Sequence, residues 1–173
     1  MRKSFFIAII VCFAGLWHSG FSQGNTDHQK ARLEQNKAIV RGYMEEVFNK
    51  GNIAAFDDYL TEATLFNNKP GIRPMVFGGM LQSMRKAFPD FHMTIEDQIA
   101  EGDKVVTRVT VTGTHQGEYR GIPATGKHIK YMGIAIDRIA DGKVVEMWHQ
   151  ADTVSMLQQI GAMPSPEQAK KQE

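Results

Sequence analysis

Two residues combine a useful chemical type with a position that suits acid–base work: Asp137 and His115. Asp137 lies in the run Gly133-Ile134-Ala135-Ile136-Asp137-Arg138-Ile139. Alternation along a strand puts Tyr131, Gly133, Ala135 and Asp137 on one face. A carboxylate on a face that lines a cavity can take up and return a proton. The same carboxylate at the exposed end of a hairpin would only pair with Arg138 or Lys143. His115 opens a glycine-rich stretch, His115 to Lys127. A neutral imidazole there could orient an acid or accept a proton, or could simply stand in solvent.

Other chemistries find no residues to carry them. His28, His92, His115, His128 and His149 show no metal-ligand spacing, and no Glu completes an H-E-x-x-H pattern, so no metal is expected. No serine sits in a G-x-S-x-G elbow. The glycines of 113–126 do not match G-x-G-x-x-G opening a helix, and no G-K-[ST] occurs, so no nucleotide cofactor is expected. Tyr43, Phe66, Met80, Met84, Tyr131, Met132, Met147 and Trp148 offer a soft apolar lining for a pocket, or plain core.

The elements that must position these residues follow from periodicity. Asn36, Val40, Tyr43, Met44, Val47 and Phe48 recur at helical spacing and predict a helix over 33–50, closed by Gly51. Asn52 is placed to cap a short second helix carrying Ile53, Phe56 and Leu60. Residues 61–68 read as a short extended segment, and Pro70, Gly71 and Pro74 as an irregular connection. Met80, Leu81, Met84, Ala87 and Phe88 predict a third helix, stopped by Pro89. The period then changes to two. Strands are expected over 91–99, 105–114, 128–139 and 144–151, with hairpins at Glu101-Gly102-Asp103-Lys104 and Asp141-Gly142. A last short helix spans 153–160. Helices first and a long meander after them predict an α+β fold, a curved antiparallel sheet wrapped on the N-terminal helices and enclosing a pocket.

The chain has 173 residues, enough for one domain. Its 20 Lys and Arg balance 19 Asp and Glu, which argues against nucleic acid as a partner. Arg2 and Lys3 precede an apolar run from Phe5 to Trp17, then small residues at Gly20 and Ser22. This is the layout of a secretory signal cleaved after Ser22, too short for a spanning helix. The expected organisation is a signal peptide over 1–22, a flexible leader over 23–32, the folded domain over 33–162 and a flexible tail over 163–173. The mature chain would be secreted or periplasmic, without a stable membrane anchor. It would hold 18 basic against 19 acidic residues and lack Cys12, the chain's one cysteine. Disulfides and thiol chemistry are thereby excluded from the folded domain.

An ordered set of short segments resembles the SnoaL-like polyketide cyclases, also called ester cyclases. The set comprises Ala38 to Asn52, Ala87-Phe88-Pro89-Asp90, Glu101 to Val106, Gly113-Thr114-His115-Gln116-Gly117-Glu118, Gly121 to Lys127 and Arg138 to Lys143. Glu146 with Trp148 and Leu157 to Gly161 complete it. The resemblance implies the α+β cone shared with nuclear transport factor two, with a cavity inside the sheet. It implies cofactor-free aldol-type cyclisation, in which a pocket Asp assisted by His moves the proton, and frequent homodimers through the sheet. The chain departs from the family at three polar positions. Ala135 stands where Gly-Ile-Asp-Ile is usual, Asn67-Asn68 where a His is common, and His149 where an Asp often follows the tryptophan.

Joined to this resemblance, the residues give the following expectation. Asp137, two residues beyond Ala135 on the same face, is the acid or base, and His115 is its partner. Tyr43, Asn68, Met84, Tyr131, Trp148 and His149 bind a small hydrophobic carbonyl compound. The reaction is an aldol-type cyclisation, an isomerisation or a hydrolysis without cofactor, carried out by a homodimer. The alternative is a non-catalytic secreted module of the same fold, holding a hydrophobic small molecule or a partner protein.

Overall fold

The computed structural model describes residues 17–69 and 75–164. The chain divides into two compact units at Arg32/Leu33, and the second carries the fold. The expected signal peptide falls mainly on residues 1–16, outside the described residues, as do the connection at Pro70, Gly71 and Pro74 and most of the expected tail. Among the described residues no helix is long and apolar enough to cross a membrane.

Helix α1 spans Trp17–Tyr43 and runs on as a π-helical turn, Met44–Asn49. It starts well before Leu33. The polar residues expected to fray, 25–32, are helical and exposed. Gln, Lys, Ala and Arg propagate a helix without a buried face, which an apolar stripe does not register. From Val40 onward one side is buried: Val40, Tyr43, Met44, Val47 and Phe48. The wider π turn brings adjacent Val47 and Phe48 into the core together with Met44. Gly51, at φ +72°, ends this segment as expected.

A 3-10 turn, Ile53–Ala55, and a one-turn helix α2, Phe56–Tyr59, follow. Asn52 does not cap through its side chain; its backbone carbonyl accepts from Ala55 instead. Strand β1 is Leu60–Phe66, and helix α3 is Met75–Ala87, ending before Pro89. Strands β2 (His92–Glu101), β3 (Lys104–Thr114), β4 (His128–Ala140) and β5 (Lys143–Ala151) form the meander, and α4 (Thr153–Ile160) closes it.

The five strands are ordered β1-β5-β4-β3-β2 in one curved, unclosed sheet. The meander is antiparallel, as expected, but β1 joins β5 in parallel. Strict alternation in β3 sends Val105, Thr107, Val109 and Val111 inward. Helical elements cover the inner face through specific bonds. Asn49 donates to the Met93 carbonyl and accepts from its N–H, joining the π turn to β2. Arg85 on α3 donates to the carbonyls of Phe48 and Asn49. Gln159 on α4 bonds both the N–H and the carbonyl of Lys130 on β4.

Candidate active site

A cavity of about 370 Å³ opens between the inner sheet face and the helices. Its walls are mainly apolar, with Met44, Phe66, Met84, Met93, Val109 and Tyr131 among them. Met80, Arg120, Gln150, Ala151 and Thr153 line it and are exposed, so they mark the mouth. A concave apolar site with few polar groups is suited to an organic ligand.

Ala135 lies on the cavity wall. Asp137 is one inward step further along β4 and fully buried. Its Oδ2 accepts a hydrogen bond from the Tyr43 hydroxyl at 3.0 Å. Burial, and then the Asp137 charge, push the Tyr43 hydroxyl well above its ordinary range, so it remains a donor. Oδ1 of Asp137 has no hydrogen-bond partner and lies 3.7 Å from His149 Nε2, which is buried and also lacks one. Two orphaned buried polar atoms facing each other at that distance need a shift of under about 1 Å to bond. His149 itself lines the cavity, its ring edge-on to Phe66 at 5.3 Å between centroids.

Register explains why His149 points inward. In the Asp141-Gly142 hairpin, Ala140 pairs with Lys143 and Ile139 with Val144, but beyond a bulge Arg138 pairs with Glu146. One extra residue on β5 reverses which side chains face inward. Asp137 therefore pairs with Met147 and Ala135 with His149. Without the bulge Trp148 would stand opposite Ala135.

The bulge also decides two of the pocket expectations. Trp148 faces outward, beside Ile99, Val106 and Ile136 on the other side of the sheet, and its indole N–H donates to Asn68 Oδ1. Trp148 and Asn68 thus form a pair outside the cavity rather than lining it. Asn67 takes the lining position and accepts the His149 backbone N–H. Met84, Tyr131 and His149 line the cavity as expected, and Tyr43 lies behind it, on Asp137. Of the other soft residues, Phe66 and Met80 line the cavity while Met132 is exposed. Tyr131 is pushed up to about 12 by burial and then by Tyr119, so its hydroxyl is a donor at neutral pH.

His115 is fully buried but is not the partner of Asp137. It follows Thr114, which pairs with His128 at the start of β4. Nine residues separate His128 from Asp137 along the strand, about 30 Å. The His115 ring stacks on Phe88 at 5.1 Å, and Nδ1 bonds the Thr125 hydroxyl at 3.0 Å. Its backbone is tied to Lys127 and Gly126. Next to it, Gly117 lets the loop meet the end of α3, where an added Cβ would lie 2.2 Å from the Lys86 carbonyl oxygen. The motif around His115 fixes the loop to α3.

Among the described residues no three His, Cys, Asp or Glu side chains converge as a metal site.

Comparison with known proteins agrees with this architecture. The family model for SnoaL-like polyketide cyclases matches residues 38–160. Aklanonic acid methyl ester cyclase DnrD of Streptomyces peucetius is 28% identical over 131 residues, covering 72% of this chain and 90% of that protein. The solved structure of AclR, a candidate hydroxylase from Streptomyces galilaeus, matches with a TM-score of 0.68 at 27% identity, over 76% of this chain and 99% of that one. IdmH, a candidate polyketide cyclase from Streptomyces antibioticus, matches with a TM-score of 0.62 at 29% identity, over 73% and 99%.

Proposed function

The chain belongs to the SnoaL-like polyketide cyclase family, and on that premise we propose that it catalyses an acid–base carbon–carbon ring closure at His149. The observation that carries this reading is the buried pair of orphaned atoms, Asp137 Oδ1 and Nε2 of the cavity-lining His149. Asp137, anchored by Tyr43, holds the Nε2 proton and stabilises the imidazolium that forms. Nδ1 is left to act on the ligand. It removes a proton from the carbon next to a carbonyl, and the Tyr131 hydroxyl donates to the enolate oxygen. The enolate carbon then bonds to a second carbonyl carbon, whose oxygen receives the proton from His149. No atom is gained or lost overall.

The family's usual acid is absent at Ala135, but register sets His149 directly across from it. The proton carrier therefore shifts from β4 to β5, and Asp137 becomes its support. This revises the expectation that Asp137 and His115 act together. The same alanine favours a second reading, a module that binds an apolar ligand without converting it.

The substrate named for DnrD gives a direct trial. Aklanonic acid methyl ester and its free acid should both cyclise with the wild-type protein, and neither should do so with His149→Gln. Tight binding without turnover by the wild type would favour the binding module. The expected homodimer is proposed to form on the outer sheet face, where Met132, Ile134 and Ile136 are exposed. Residues 1–22 are proposed as an export signal, so secreted material should begin at Gln23.

A further inference from the structure

Among the described residues the cavity mouth carries one charged side chain, and that residue sits where its type is disfavoured. Tyr119 and Ile122 exchange both backbone hydrogen bonds, at 3.0 and 2.9 Å, around a two-residue turn. The central residues are Arg120 at φ +51° and Gly121 at φ +81°. Such a turn wants Asn, Asp or Gly first, because a side chain with a bulky stem is strained at positive φ. Arginine is kept there nonetheless.

Several observations point to what it is kept for. Arg120 lines the cavity and is exposed. Its guanidinium lies over the Tyr119 ring, 5.4 Å from the centroid. Tyr119 is itself buried and packs edge-on against Phe88. The platform under the guanidinium is therefore rigid. No ion pair involves Arg120 among the described residues, and none of the cavity-lining residues is acidic. The remaining polar lining groups are His149, Asn67, Gln150, Thr153 and the two tyrosines. The site thus joins an apolar interior to a pre-set cation at its mouth, whose planar fork matches a carboxylate.

We propose that Arg120 binds a carboxylate on the ligand, so that the protein takes an apolar carbonyl compound bearing a free acid and selects it over its neutral ester. This rests on the cavity being the ligand site, as the proposed function requires. It distinguishes the chain from a relative named for a methyl ester.

The test is a matched pair of probes, anthraquinone-2-carboxylic acid and its methyl ester, titrated calorimetrically against the full mature chain. The wild type should bind the acid about tenfold or more tightly than the ester. The preference should weaken as salt is raised, because Arg120 is exposed. Arg120→Asn creates an Asn-Gly turn suited to the backbone, so it should fold with an equal or higher Tm. In it the two probes should bind alike, and Arg120→Lys should recover only part of the preference. Equal binding of acid and ester by the wild type, or a preference that survives in Arg120→Asn, would overturn the assignment to Arg120 while leaving the cavity intact. Failure of both probes to bind would overturn the cavity as ligand site, and this proposal with it.

Discussion

Two histidines flank β4, His115 just before its start and His149 on β5 across from Ala135 toward its other end; each is fully or largely buried with an Nε2 that lacks a partner, and their surroundings differ. At one end His115 meets a hydroxyl, a stacked phenylalanine and a web of backbone bonds. At the other His149 meets a buried carboxylate and an open cavity. Burial of an imidazole alone does not indicate catalysis. A carboxylate behind it and ligand space in front do. The contrast rests on Asp137 and on access.

The largest expected effect separates the two ends. Asp137→Asn keeps the shape and the Tyr43 contact but removes the charge facing His149. It should lower kcat by about 10²–10⁴ in a cyclisation assay, the range expected for losing a positioned acid–base group. His115→Ala should instead cost roughly 2–4 kcal/mol of stability by denaturant unfolding, as other large-to-small core changes do, with kcat changed only a few-fold. If both variants lose turnover alike without loss of stability, the contrast between the ends is wrong.

A second prediction shifts the register that selects His149. Inserting one alanine between Glu146 and Met147 shifts the pairing of β5 with β4 by one residue from there on, so that Trp148 stands opposite Ala135. Trp148 should then turn into the cavity and His149 out of it. Turnover should fall to background, while the His115 end keeps its amide protection in hydrogen exchange. An active insertion variant would show that the register of β5 does not set the site.

The smallest effect concerns the support of Asp137. Tyr43→Phe leaves Oδ2 without its donor and should cost about 1–3 kcal/mol. Its pH dependence has a definite sign. The Tyr43 hydroxyl is raised in the folded chain relative to its ordinary value of 10.0. Its contribution is complete below pH 10 and is lost as pH rises through the folded value. The wild type should therefore lose stability more steeply than Tyr43→Phe above pH 10, measured by urea unfolding at a series of pH values.

Much of the fold was legible in the sequence because its signals are local. Alternating Val and Thr mark β3, and Asp141-Gly142 supplies two positive φ angles for the β4–β5 hairpin. What escaped is non-local or subtle. The parallel pairing of β1 with β5 joins segments about eighty residues apart, Leu60 and Val144 among them. The π turn and the bulge each shift facing by one residue, and no residue type announces either. That single shift moved Trp148 out of the expected pocket and set His149 beside Asp137. His115 misled for another reason: its glycine-rich neighbourhood resembles a functional loop, and strand length, not composition, puts it far from Asp137. Asp137 itself was found because alternation along β4 is unbroken from Ile129 to Ile139.

The account's central claim is that His149 moves protons and His115 does not. The most direct measurement is deuterium uptake from D2O at the α-carbon of an aryl methyl ketone, followed by NMR with catalytic amounts of protein. Wild type and His115→Gln should accelerate exchange equally, and His149→Gln should lose about 10²–10⁴ of that acceleration. Undiminished exchange in His149→Gln, or no acceleration by the wild type, would contradict it.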